Sequence, residues 1–132
     1  MGPRNLEFLW EWNKAGIEKR SDYAILTNDI TRAWSGMSVK EYKKLKDLKK
    51  ESLRDNMTNM ELVLNMLAEA TTTEISKVEN PTGLDESRIV AVKGGEVAGN
   101  TRKDIEKRLG KSVITPKNPK VLEHQKDTKN TS

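Results

Sequence analysis

The residues of this chain whose types and spacing could do chemistry fall in three places. The first is Gly94 to Thr101, which reads GGEVAGNT. It fits the phosphate-loop pattern G-x-x-x-x-G-K-[ST] at every position but one, because Asn100 stands where the lysine belongs. Such a loop needs inward N–H groups freed by glycine, a lysine on the β- and γ-phosphates and a hydroxyl on Mg²⁺. It also needs a buried parallel strand before it. Ile89-Val90-Ala91-Val92 is the one tolerable strand candidate, and a parallel sheet requires several such runs alternating with helices. A nucleotide site therefore lacks both its lysine and its setting.

The second place is KEYKKLKDLKKESLRDNMT, Lys40 to Thr58. Seven Lys/Arg against three acids lie between Val39 and Arg54. Lys43, Lys44, Lys46, Lys49, Lys50 and Arg54 would present charge on a short helix and the turn after it. Phosphate contacts of this kind give affinity without reading sequence. The same residues would equally make a solvated lysine-rich surface. Tyr42, the one aromatic here, reads as core rather than as a base-stacking platform. A second basic excess runs from Arg102 to Lys120.

The third place is His124, the only histidine. A lone ring in a polar tail, with no second ligand close by, holds no metal firmly. Serines and threonines have no histidine to pair with in an ordered region. The acids sit at helix starts or beside lysines, as solvated i,i+4 pairs do. There is no cysteine, which excludes disulfides, thiolate chemistry and cysteine-bound zinc and is compatible with a reducing compartment. These residues predict no catalytic site, no metal and no cofactor. The chain reads as a non-enzyme with no small-molecule substrate.

The chain has 132 residues, of which 34% are hydrophobic and 33% charged, with a net charge of +4. That suits one modest domain with a thin core. No stretch approaches the roughly 18 apolar residues of a membrane span. The first residues lack an apolar signal core, so a cytoplasmic location is expected.

The elements that must position these residues are helices. Leu6 to Gly16 predicts a short one, with Leu6, Leu9 and Trp10 on one face and Phe8 and Trp12 on its flanks. Ser21 or Asp22 would cap a second helix to about Trp34, burying Tyr23, Leu26, Ile30 and Ala33/Trp34, with Gly36 as its stop. Ser38-Val-Lys-Glu41 and Thr58-Asn-Met-Glu61 both have capping-box spacing. The first opens a helix carrying Val39, Tyr42, Leu45 and Leu48 inward, with its lysines mostly outward. The second opens the strongest helix, whose stripe Met60, Val63, Leu64, Leu67, Thr71, Ile75 and Val78 follows helical period. Asn80-Pro81-Thr82-Gly83 is a turn. Leu84 or Asp85 to Leu109 follows, with Gly110 as stop. Ser112 to Thr115 looks extended.

Read as helix, Asp85 to Leu109 places Ala91, Gly94, Gly95 and Ala98 on one stripe, with Gly99 beside it. Glycine costs about 1 kcal/mol per helical position relative to alanine. Close approach of another backbone would compensate, and the Met60–Val78 helix is the obvious partner. The threonines Thr71-Thr72-Thr73 offer it a small, partly polar surface. Gly94, Gly95, Ala98 and Gly99 are thus packing candidates. On this reading Gly95→Leu is expected to be damaging and Gly99→Ala mild.

These same segments carry a family resemblance. YKKLKDLKKESLRDNMT, LAEATTTEI and GGEVAGNTRKDIE resemble the C-terminal region of phage-type antirepressor proteins that begin with a BRO-family domain. More distantly, the chain is similar to the C-terminal half of DNA-damage-inducible protein D. The resemblance spans Tyr23 to about Lys117. It implies a bacterial or prophage setting and a DNA-associated regulatory role. The BRO domain, usually credited with DNA binding, has no counterpart in this sequence, which reads either as a fragment or as a free-standing C-terminal module, so the resemblance leaves DNA as a candidate partner only.

The expectation is an all-α, compact bundle of about five helices over 5–115, with a flexible basic tail over 116–132. It would be a phage- or damage-response-type regulatory interaction module, acting through a protein partner or self-association, with DNA as a further candidate partner and no membrane. The alternative is a sequence-nonspecific nucleic-acid binder using Lys40–Arg54. Replacing Lys43, Lys46, Lys49 and Lys50 by Glu is expected to spare the fold.

Overall fold

The computed structural model describes residues 7–116. They form five α-helices and one 3₁₀ turn, with no strand among the described residues. The helices are α1 (Glu7–Lys14), α2 (Arg20–Ser35), α3 (Val39–Leu45), α4 (Asn59–Glu79) and α5 (Gly83–Leu109). The architecture is all-α. No described helix is long and apolar enough to cross a membrane. Of the tail expected over 116–132, residues 117–132 lie outside the described residues.

Local signals account for most of the boundaries. Ser38 and Thr58 each accept the backbone N–H three residues on, and Glu41 and Glu61 reach back to the cap N–H. Both capping boxes satisfy donors that a helix start leaves orphaned. Gly36 and Gly110 end α2 and α5 in the left-handed region, at φ 82° and 72°. Asn80 ends α4 the same way, at φ 49°. The start of α2 departs from expectation: neither Ser21 nor Asp22 caps it, and the helix begins at Arg20 after an uncapped Lys19.

The core gathers Trp12, Ile17, Leu26, Ile30, Trp34, Tyr42, Leu53, Met57, Leu64 and Val113. α5 packs along both α4 and α2, and α1 lies against α4. The phosphate-loop pattern has become the middle of α5, with Asn100 exposed on a continuous helix.

The glycines of α5 face two different partners. A Cβ on Gly94 would collide with Thr72 Oγ1 and stand 2.6 Å from the Thr72 backbone nitrogen of α4. On Gly95 it would stand 2.5 Å from Ala33 Cβ, and on Gly99 2.6 Å from the Ala33 carbonyl oxygen, both on α2. Ala98 is fully buried between them. Of the three glycines, Gly94 alone meets α4, and Gly95 and Gly99 seat α2. The expectation that Gly99→Ala is mild is corrected by the same distance: a backbone oxygen cannot step aside as a side chain can.

Two helices bury a different face from the one their apolar periodicity marks. α4 turns Glu61, Leu64, Asn65, Ala68, Glu69, Thr72, Thr73 and Ser76 inward. Met60, Val63 and Val78 of the expected stripe are exposed, Val78 at 81%. Thr72 meets Gly94 of α5 where only a small side chain admits so close an approach, while Leu64 stays in the core. In α1, Trp12 is buried while Trp10 is 64% exposed, the reverse of the expected face. The segment after α5 buries Val113 but is irregular rather than a strand.

Candidate binding site

The lysine tract divides into an inner and an outer side. Lys46, just past α3, is fully buried together with Glu61 of α4. Its ammonium donates to Glu61 Oε1 at 2.8 Å and to the Thr115 carbonyl at 2.8 Å. The Tyr42 hydroxyl donates to Glu61 Oε2. Burial, reinforced by that carboxylate, pushes the Tyr42 phenol far above its ordinary pKa, so it stays a donor. Glu61 Oε1 also accepts the Thr58 N–H at 3.0 Å. One carboxylate thus caps α4, anchors α3 and, through Lys46, holds the segment after α5. A buried charge is tolerable only when paired and hydrogen-bonded in this way.

The neighbourhood extends that network. Tyr42 and Trp34 stand 6.0 Å apart, and the Trp34 indole N–H donates to Asn65 Oδ1 at 3.2 Å. Arg102 donates to the Trp34 carbonyl at 2.7 Å and pairs with Glu106. Glu106 accepts the Val113 N–H at 3.0 Å. Partial burial pushes the Glu106 carboxyl up, but the Val113 N–H and Arg102 outweigh it and hold it below its usual value. Arg54 reaches both oxygens of Glu69 in α4, at 2.8 and 3.0 Å. Burial pushes the Glu69 carboxyl up, against the pull of Arg54.

Lys46 and Arg54 therefore leave the set of residues expected to touch nucleic acid. Lys46 is interior, and Arg54 is committed to Glu69. Leu45, expected inward, is 39% exposed because Lys46 takes the inner position.

The outer side lines an open groove of about 910 Å³ between α2 and α3. Ala24 and Ile25 of α2 with Val39 and Leu48 form its apolar floor. Lys40, Lys43, Lys44 and Lys49 surround it with a single carboxylate, Asp47. None of these four ammonium groups pairs with a carboxylate among the described residues. Lys50 is exposed but does not line the groove. The walls are fixed: Asn28 Oδ1 accepts the Val39 N–H at 2.8 Å, tying the start of α3 to the middle of α2. After α3, Asp47 takes a left-handed φ of 58°, and the Leu48 N–H returns to the Lys43 carbonyl at 2.9 Å. That turn aims Leu48 at the floor.

Sequence reasoning found the tract but missed its inner partners. Glu61 had one visible signal, its place in the capping box, which does not reveal a second role. Asn28, Ala24 and Ile25 carried no signal, since only the packing of α3 onto α2 gives them a common site.

The fold and this site define a class: a helical domain that presents an apolar, lysine-edged groove on a charged, interlocked core. The chain matches the DinD C-terminal domain over residues 4–125 and belongs to that family. No curated protein and no solved structure matches it. The family ties the chain to DNA-damage-inducible proteins.

Proposed function

We propose that this chain is a regulatory interaction module of DNA-damage or phage-type antirepressor control, acting in the cytoplasm by docking a partner protein and not by catalysis. One observation carries the reading: the α2–α3 groove joins an apolar floor, on fixed helical walls, to lysines that pair with no carboxylate among the described residues. Apolar burial with a charged rim supports recognition, with the rim steering encounter and excluding wrong partners. Its polar lining is four lysines, the Asn28 amide, the Thr27 hydroxyl and the Asp47 carboxylate, with no histidine or cysteine to make a nucleophile–base pair, which supports binding over turnover. Family membership supplies the damage-response setting.

The test compares damage-induced transcript levels in cells expressing the chain and its Lys43→Glu/Lys44→Glu variant at equal abundance. The expected result is a change with the parent that the variant loses. An equal effect from both would overturn the reading.

A second reading, nonspecific nucleic-acid binding, is favoured by the unpaired lysines, to which exposed Lys50 adds. It predicts binding to duplex or single-stranded DNA that weakens steeply with salt. No binding at low salt would remove it. Self-association is a third mode, checked by light scattering over a concentration series.

A further inference from the structure

We propose that the α2–α3 groove seats an acidic amphipathic helix of a partner protein. The proposal rests on the interaction-module reading and names the chemistry of what that module holds.

Charge complementarity sets the sign. Four lysines face one carboxylate around the groove, and none of the four is neutralised within the described residues. An occupant with carboxylates along its edges would supply the missing partners. The chain's own net charge of +4 disfavours a second copy of itself in that place.

The floor sets the rest. Ile25, Val39 and Leu48 are only half-buried, and Ala24 is exposed. Covering them requires apolar groups at the centre of the occupant. A nucleic-acid backbone offers none, and bases need stacking partners. No aromatic or arginine side chain lines the groove, because Tyr42 is turned inward onto Glu61. Phosphates would meet the rim and leave the floor wet.

Backbone chemistry decides the conformation. An extended peptide must pair its N–H and C=O groups with a sheet edge, and there is no strand among the described residues. A helix satisfies its own backbone. The groove's ≈ 910 Å³ admits one face of about two to three turns, roughly 11–16 Å of helix. Walls held by the Asn28–Val39 bond and the Asp47 turn need no ordering on binding, which favours affinity.

The experiment uses the full chain and a fluorescent synthetic helix with leucines at i, i+3, i+4 and i+7 and glutamates elsewhere. Controls are the same peptide with serines for leucines, the same with glutamines for glutamates, and single-stranded and duplex oligonucleotides. The acidic amphipathic peptide is expected to bind best. Lys43→Glu/Lys44→Glu should weaken it by roughly tenfold or more, since both rim charges now repel it. Ala24→Glu, on an exposed helical position, should weaken it similarly by blocking the floor. Circular dichroism should match the parent for both variants. Three outcomes overturn the proposal: preference for an oligonucleotide, binding indifferent to both variants, or no binding of the acidic peptide. If the peptide fails while the transcript effect is still lost in Lys43→Glu/Lys44→Glu, the groove regulates through another occupant and only the helix proposal falls. If the peptide binds but the parent leaves transcripts unchanged, the regulatory reading falls instead.

Discussion

The two sides of the α3 tract carry the same residue type to opposite fates. Lys46 is sealed between Glu61, Tyr42 and the Thr115 carbonyl, where it joins three parts of the chain. Lys43 and Lys44, within one turn of it, line an open groove without an acidic partner among the described residues. A run of lysines is thus not one property. An ammonium becomes structural where a carboxylate and a carbonyl converge on it, and remains available for a partner where only apolar side chains lie beneath its stem. α4 and α5 show the same division in apolar residues. Glycine, alanine and threonine take much of the interior beside Leu64 and Val90, while Met60, Val63, Met66, Val78 and Val97 are left outside.

The sharpest way to break the contrast between inner and outer lysines is truncation. Lys46→Ala leaves Glu61 buried without its cation and should cost about 3–5 kcal/mol. That is a large share of the ~5–15 kcal/mol that holds a typical domain. Lys43→Ala should stay within about 0.5 kcal/mol of the parent. Urea unfolding measures both, and equal losses would erase the distinction.

Next in size come the glycines. Gly94→Ala and Gly99→Ala should each destabilise by about 1–3 kcal/mol, because the new methyl meets backbone atoms at 2.6 Å. Asn100→Ala, exposed on the same helix, should be neutral or gain a few tenths of a kcal/mol, since alanine is the better helix former. Thermal melts that rank Gly99→Ala at or above the parent would show that α2 and α5 are not in close backbone contact.

A smaller effect depends on pH. The Glu106 carboxyl is held below its ordinary 4.5 in the folded state. The unfolded chain therefore takes up this proton first as pH falls. The contribution of Glu106 to stability is complete above 4.5 and is lost as pH drops through the folded value. Glu106→Gln should lag the parent above 4.5 and converge on it in more acid solution. A gap that widens on acidification would reverse the assignment. The smallest expected change is in Lys43→Glu/Lys44→Glu, whose unfolding midpoint should match the parent while its docking is lost. A large drop in that midpoint would make the outer lysines structural as well.

How much of this was legible varies by element. The two capping boxes, the stops at Gly36, Asn80 and Gly110, and the inward face of α2 are local chemistry and could be read directly. So could the lysine tract as a functional candidate, and the small-residue surface where Thr72 meets Gly94. The inward faces of α1 and α4 were not legible, although their periodicity pointed to a definite answer. A period of 3.6 marks where apolar residues gather, but not whether the neighbouring backbone comes near enough to exclude them. The burial of Lys46 was equally hidden, because its partners stand 15 and 69 residues away.

By itself, then, the sequence determined that the chain is helical, where most of its helices start and stop, and which segment concentrates positive charge. These depend on caps, propensities and patterns that act within a few residues. Only the tertiary structure decided which lysine is buried, which helix each glycine seats, and that α2 and α3 together enclose a groove. Burial and pairing arise between segments far apart in the chain, and the backbone separation at each crossing selects which side chains fit inside.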